Sequence, residues 1–233
     1  MPDSKIILIT GTSRGIGRSL AEHYIESGAT VVGCSRSETT IENAQYLHVT
    51  LDVSEEAQVK HLFGQIRNEY GRLDVLINNA GTASMNLALT TPMTTVDSVL
   101  DTNVKGTFLF CREAARLMIR KGHGRIVNLV TVATPFKLEG EAIYAASKAA
   151  VISLTQILAK EFGHFGITVN AVGPTVIPTD LIKSVPDEKI QELIDRQTIK
   201  RHGNMGDVAN VIDFFIRPES DFVTGQVVFL GGA

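Results

Sequence analysis

Tyr144 and Lys148 stand four residues apart in Tyr144-Ala-Ala-Ser-Lys148, the spacing that stacks two side chains on one face of a helix. An ammonium beside a phenol favours the phenolate. Moving a tyrosine from its ordinary pKa of ~10 toward neutrality would make it an acid–base catalyst. Far upstream, Gly11-Thr-Ser-Arg-Gly15-Ile-Gly17 follows the apolar run Ile6-Ile-Leu-Ile9. Glycines there permit a tight turn, and a helix starting at Gly15 would offer its N-terminal N–H groups to a diphosphate. The turn lacks the Gly-Lys-Ser/Thr ending of a phosphate loop, which argues against an ATPase or GTPase. A nucleotide site upstream of a tunable phenol suggests redox chemistry.

Positioning these groups requires a regular frame, and the chain alternates short β-rich runs with longer amphipathic stretches. Strands are expected near Lys5–Thr10, Thr30–Cys34, Tyr46–Thr50, Leu73–Asn78, Arg125–Thr131, Thr168–Ala171 and Gln226–Phe229. Helices are expected near Gly15–Ser27, Glu55–Tyr70, Val96–Arg120, Glu141–Glu161, Asp187–Gln197 and Asp207–Ile216. This order predicts a Rossmann-type α/β fold, a doubly wound parallel sheet of about seven strands with right-handed crossovers, in one domain spanning 1–233. Ser35–Gln45 is too short for a crossover helix and predicts an irregular link. Gly173–Asn204, rich in Pro and polar residues, follows a strand end and is expected to cover the substrate as a lid.

The composition narrows the classes further. With 44% hydrophobic residues and a formal net charge of −3, the chain has material for a large core and no broad basic surface for nucleic acid. No apolar run approaches the ~20 residues that span a bilayer, so no membrane association is expected. The two cysteines, Cys34 and Cys111, give no disulfide framework. The N-terminus lacks the pattern of a signal peptide, and the expected location is cytoplasmic. No metal is expected.

Taken in order, Thr10-Gly-x-x-x-Gly-Ile-Gly17, Asn78-Asn-Ala-Gly81, Asn103, Tyr144-x-x-x-Lys148 and Asn170 before Pro174 resemble the short-chain dehydrogenase/reductase family over essentially the whole chain. The resemblance implies that Tyr144 protonates a carbonyl oxygen during reduction, or deprotonates an alcohol in reverse. It implies that Lys148 tunes the phenol and contacts the cofactor ribose, and that Asn103 helps hold a relay water. The family's active-site serine is replaced here by Thr131, which keeps the hydroxyl and adds a methyl group. Ser13, Arg14 and Ile16 belong to the phosphate turn, Asp52 and Val53 match the adenine contact, and Asn79, Ala80 and Gly81 the stretch along the cofactor. Pro174, Ile177 and Thr179 match positions near the nicotinamide, although Thr175 stands where a glycine usually follows the proline.

Charge at the end of the second strand decides the cofactor expected. Cys34-Ser-Arg36 carries no carboxylate for a ribose diol, whereas Arg36 and Arg14 could bracket a 2′-phosphate. NADP(H) is therefore expected. Within the family the chain most resembles β-ketoacyl carrier-protein reductases, through Gly124-Arg-Ile-Val-Asn128 and Gly166-Ile-Thr-Val-Asn170. This implies a β-ketoacyl thioester or similar ketone as substrate and an acyl carrier protein as possible partner. The basic residue that commonly precedes Gly166 is Phe165, leaving Lys121, His123 and Arg125 as a basic cluster near the other docking region. A sugar or specialised-metabolite dehydrogenase and a silent NADP-binding sensor stay open as alternatives. The resemblance also implies a homodimer or homotetramer paired through Val96–Arg120 and Glu141–Glu161. Val104, Phe108, Cys111, Ala115, Val151, Leu154 and Leu158 supply apolar positions at helical spacing.

Overall fold

Every residue of the first strand, β1 (Ile6–Thr10), is buried, which requires cover on both faces of the sheet. In the computed structural model, which describes residues 4–178 and 187–233, that cover is helical. β2 (Thr30–Ser35), β3 (Tyr46–Thr50), β4 (Val75–Asn78), β5 (Gly124–Leu129), β6 (Ile167–Gly173) and β7 (Val227–Phe229) complete a seven-stranded sheet of order β3-β2-β1-β4-β5-β6-β7. All its pairings are parallel. The doubly wound architecture expected from the alternation is thus the one observed.

Alternate residues of β1 point into different layers, as the two-residue period of a strand demands. Ile6 and Leu8 join the layer containing Val59, Leu62 and Phe63 of α2 (Glu56–Tyr70) and Phe110 and Met118 of α4 (Thr107–Met118). Ile7 and Ile9 join Leu20 and Tyr24 of α1 (Gly15–Glu26) and Ile212 and Phe215 of α8 (Met205–Ile216). α8 opens on a capping box in which Asn204 and Asp207 satisfy each other's backbone N–H groups. The link over 36–45 contains no helix, as its length predicts.

Two local features differ from expectation. The long helix expected from Val96 begins earlier, as α3 (Met93–Leu100), and passes into α4 through a π-helical segment, Asp101–Gly106. A one-turn helix, α5 (Ala133–Phe136), fills the connection before α6 (Ala142–Phe162). Apolar periodicity registers neither, because a π turn preserves the helical run and a single turn is shorter than the pattern's period.

The stretch Ala142–Phe165 is long and apolar enough by composition to cross a membrane, at mean hydropathy 1.4, which corrects the expectation that no such run exists. Here it packs against β6 and carries the buried Lys148. Of the apolar positions expected on the pairing helices, Cys111, Ala115, Val151 and Leu158 are buried in the core. Leu154 and Phe108 instead line a surface groove with Leu100, Val104 and Lys105.

Past β6, Gly203 N donates to Val176 O at 2.9 Å. Gln197, almost fully buried, donates to Ile199 O and Arg201 O and contacts the Thr175 hydroxyl. α7 (Asp187–Arg196) lies between these anchors, and Arg196 donates to Phe136 O at 3.3 Å. The extra methyl and Cβ at Thr175 impose no left-handed strain, since Lys137 is the one non-glycine with positive φ among the described residues.

Candidate active site

The chain leaves β1 for α1 on one face and leaves β4 for α3 and α4 on the other, so a crevice opens at the carboxyl ends of these neighbouring strands. Its floor depends on glycine. Gly11 has φ +77° and Gly15 φ +59°, and a Cβ on Gly17 would stand 2.3 Å from both Asn79 Nδ2 and Gly11 O. Thr10 Oγ1 accepts from Asn79 N (3.0 Å) and Ala80 N (2.8 Å), while Asn79 Nδ2 donates to Thr10 O at 2.8 Å. These bonds stitch the turn after β1 to the turn after β4. α1 starts from Arg14 with no side-chain capping bond and no acidic residue in its first turn, leaving donors and a positive dipole end suited to a diphosphate. Ser13 and Ile16 are half-buried beside it.

A chain of polar contacts extends this floor toward the end of β2. The Tyr46 hydroxyl donates to Thr12 Oγ1 at 2.8 Å and lies 2.9 Å from His48 Nδ1. His48 Nε2 lies 2.9 Å from Ser37 O, to which Ser35 Oγ also donates. A carbonyl only accepts, so Nε2 carries a ring proton. The chain fixes the segment bearing Arg36, which is exposed like Arg14. Glu38 does not intrude, because it accepts from Thr50 Oγ1 at 3.1 Å. Burial works to raise the Asp52 pKa, but two hydrogen bonds from Ser54 and the charges of Arg36 and Lys105 hold the carboxyl below its usual range. Val53 is buried against Gly106, where a Cβ would come within 2.9 Å of its Cγ2.

The other half of the crevice gathers the groups able to move a proton. Lys148 Nζ donates to Leu129 O, the last residue of β5, at 2.8 Å. Burial lowers its ammonium to about 8. Gly81 lies so close that a Cβ on it would stand 3.3 Å from both Lys148 Nζ and Asn103 Oδ1. Asn103, fully buried on the π-helical segment, accepts from Thr82 N (2.9 Å) and donates to Thr82 O (3.0 Å) and Ser147 Oγ (2.9 Å). Ser147 Oγ in turn donates to Tyr144 O. Asn103 thereby ties the turn after β4 to the helix bearing Tyr144 and Lys148.

Thr131, two residues beyond β5, accepts from Ala133 N at 3.2 Å and lies near enough to the Tyr144 phenol to favour its ionisation. The substitution of serine by threonine therefore keeps a hydroxyl near the phenol. One expectation is reversed. Burial first, and then the charge of Glu141, push the Tyr144 phenol up to about 12, with Thr131 opposing them. Lys148 gives one of its three N–H donors to Leu129 O, and its charge is not among the causes that set the phenol's pKa in this state.

Pro174 is buried beside Thr131, its carbonyl accepting from Val132 N at 3.2 Å. Ile177 is buried in the layer under α1 and α8, and Thr179 lies outside the described residues. Of the basic cluster expected for a carrier partner, Lys121 and His123 are exposed but Arg125 is 2% exposed, and burial together with the Arg125 charge lowers the His123 pKa. Phe165 packs against the core. Sequence reasoning missed Thr12, Tyr46, His48, Ser147 and Glu141. Only Glu141 left a legible signal, an acid one helical turn before Tyr144.

The family model described as Enoyl-(Acyl carrier protein) reductase matches residues 11–232. The chain belongs to the short-chain dehydrogenase/reductase family. Membership accords with the crevice at the sheet's switch point and with the oxidoreductase class expected from the sequence. The chain is 33% identical to the 3-oxoacyl-acyl-carrier-protein reductase of Escherichia coli (strain K12), over 99% of this chain and 97% of the relative. It is 34% identical to the same-named reductase of Staphylococcus aureus (strain Mu50), over 100% and 98%. Ligand-free aldohexose dehydrogenase of Thermoplasma acidophilum superposes at TM-score 0.89 with 32% identity, covering 98% of this chain and 93% of that one. The structure of ElxO with NADP bound gives TM-score 0.90 at 30% identity, covering 98% and 97%.

Proposed function

We propose that this protein uses NADPH to reduce a ketone to an alcohol, with Tyr144 as proton donor. The observation that carries the reading is Tyr144 and the buried Lys148 on one helix, tied through Ser147 to Asn103 and set across the crevice from the glycine turn, with Thr131 near the phenol. The fit of a dinucleotide rests on the uncapped start of α1 and on the close approach of Gly17 and Gly81 to their neighbours. Gly11, Ser13, Gly15 and Ile16 would hold its diphosphate, Arg14 and Arg36 a 2′-phosphate, and Asp52 and Val53 the adenine. Asn79, Ala80, Gly81, Lys148, Pro174 and Ile177 would line the rest. Bound there, NADPH supplies the hydride.

The protein's own residues manage the proton. Thr131 orients the carbonyl oxygen and Tyr144 protonates it, a step helped by a phenol that stays protonated through the neutral range. The developing phenolate is a charge in a buried site, which the Lys148 ammonium stabilises once the carbonyl oxygen carries the proton. Asn103 keeps the two helices in register for that exchange. The expected substrate cover over Gly173–Asn204 lies in part outside the described residues; within it, Gln197 donates to Ile199 O and Arg201 O.

A β-ketoacyl thioester or similar ketone is the substrate supported by likeness to the 3-oxoacyl reductases. Two observations favour a second reading, a hydroxylated metabolite or sugar. Arg125 is buried and the partly buried Phe165 carries no charge where a carrier protein would want free cations, and the aldohexose dehydrogenase fits nearly as well. The apolar groove lined by Leu100, Val104, Phe108 and Leu154, with Phe108 at 40% exposure, supports pairing into a homodimer or homotetramer. A panel of acyl thioesters, sugars and simple ketones, followed by NADPH absorbance, tests the reading. Turnover of at least one carbonyl class is expected, with NADPH preferred over NADH. Tight NADPH binding with no oxidation across the panel would leave only a silent nucleotide-binding protein.

A further inference from the structure

The sheet ends on β3, and His48 stands in that edge strand opposite Gly33 of β2. Gly33 leaves the space beside it to others: a Cβ there would collide with the Tyr46 hydroxyl and with Thr12 Oγ1. Through this gap runs a polar chain whose two ends matter for cofactor binding. Thr12, within the glycine turn, accepts from the Tyr46 hydroxyl at 2.8 Å; that hydroxyl lies 2.9 Å from His48 Nδ1, and His48 Nε2 lies 2.9 Å from Ser37 O. Ser37 directly follows Arg36. The imidazole therefore ties the turn suited to a diphosphate to the segment carrying the cation suited to a 2′-phosphate.

Arg36 needs such a tie. Leu51 N donates to Ser35 O at 2.9 Å, which places Arg36 beside the turn leading to Asp52, within electrostatic reach of that carboxyl. The side chain is exposed, and among the described residues no hydrogen bond or ion pair holds its guanidinium. Where it can reach is then set by the backbone on either side. On one side Ser35 is fixed by its pairing with Thr50. On the other, Ser37 O accepts from Ser35 Oγ at 2.6 Å and from His48 Nε2. The first bond spans two residues and closes a local turn; the second fastens that turn to another strand. Further anchors, Thr50 Oγ1 to Glu38 and Arg18 to Thr40 Oγ1, act beyond it. A guanidinium–phosphate pair is directional, so it loses strength when the backbone carrying the guanidinium can pivot.

We propose that His48 is a positioning residue for cofactor choice: by holding Ser37 O it aims the Arg36 guanidinium at the 2′-phosphate and so sets the preference for NADPH over NADH. It acts through Arg36 rather than on the phosphate itself. This rests on the 2′-phosphate site proposed above for Arg14 and Arg36, and names what keeps that site in order. NADH carries a hydroxyl in place of the 2′-phosphate, so its affinity gains nothing from the tie.

The test is equilibrium binding, read by fluorescence titration with NADPH and with NADH, on the parent, His48→Phe, His48→Gln, Arg36→Ala and the His48→Phe/Arg36→Ala double variant. His48→Phe keeps a ring and loses the N–H, and should weaken NADPH binding by about tenfold while NADH stays within about twofold of the parent. Gln can present an amide N–H where Nε2 stands and should restore most of the preference. In the Arg36→Ala background His48→Phe should change NADPH affinity by less than about twofold, because a residue acting through Arg36 has nothing left to aim. If Phe at this position prevents folding, His48→Asn, whose shorter amide can meet the Tyr46 hydroxyl but not Ser37 O, reports the same ratio. Equal loss of NADPH and NADH affinity overturns the proposal by showing a merely structural role. So does an undiminished effect of His48→Phe without Arg36, or a parent-like NADPH:NADH ratio in the Phe or Asn variant. Failure of the underlying reading has a separate signature: Arg36→Ala itself leaves the ratio as in the parent, and the inference falls with it.

Discussion

The two halves of the crevice are built on opposite principles. Between β1, β2 and β3 the polar groups answer one another: Thr10 with Asn79 and Ala80, Tyr46 with Thr12 and His48, Asp52 with Ser54. Around β5 and α6 the ionisable groups are held against their preference, with an ammonium lowered to about 8, a phenol raised to about 12 and a carboxylate oxygen left without a donor. A binding surface gains from being finished before its ligand arrives, because preorganisation removes ordering costs. A reacting site gains from charges whose best partners appear only during the reaction. The contrast assigns recognition to one half and chemistry to the other.

The largest effect should come from damaging the finished half. Gly17→Val would place branched carbon where even a Cβ stands 2.3 Å from Asn79 Nδ2 and Gly11 O. NADPH binding should vanish in a fluorescence titration, with a stability loss of about 2–4 kcal/mol in denaturant melts. Retained binding would mean the two turns are less firmly joined than their hydrogen bonds indicate.

Next in size is the hydroxyl at Thr131, on the reacting side. Thr131→Val should lower kcat by about 10²-fold while leaving NADPH affinity unchanged, and Thr131→Ser should keep most of the activity. Equal turnover by the valine variant would remove the hydroxyl from the mechanism.

Lys148→Met sharpens the comparison in the opposite sense, since losing a frustrated group should stabilise the fold. The folded pKa of about 8 lies below the ordinary 10.5, so the unfolded chain holds this proton more tightly. The cost of the buried charge is full below about pH 8 and fades as pH rises from there to about 10.5. Lys148→Met should therefore melt higher than the parent at pH 7, by up to about 3 kcal/mol, with the advantage shrinking across that window. Turnover should fall at every pH. A variant less stable than the parent at pH 7 would show that the Leu129 bond outweighs the burial.

The same division explains what the sequence disclosed. Continuous apolar runs such as Ile6–Ile9 announce two-faced strands, and the glycine turn announces its own backbone geometry. Those are local properties, and they located the recognition half together with Tyr144 and Lys148. The Tyr46–His48 chain depends on the register of β2 and β3 beside a distant turn, which no local pattern encodes. The phenol's pKa went the other way from expectation for a related reason. Four-residue spacing puts Lys148 on the face of Tyr144, but desolvation and the Leu129 carbonyl, both products of tertiary packing, decide where its charge acts. Glu141 was visible as an acid near Tyr144, yet its missing partner is a property of burial alone.

The central claim is that Tyr144 delivers the proton in an NADPH-dependent carbonyl reduction. Tyr144→Phe removes one hydroxyl from a site whose cofactor contacts lie largely elsewhere. Measured with the best substrate of the panel, its NADPH oxidation rate should fall by about 10²–10⁴-fold, while a fluorescence titration gives NADPH affinity close to that of the parent. Near-parent turnover by the phenylalanine variant would contradict the account.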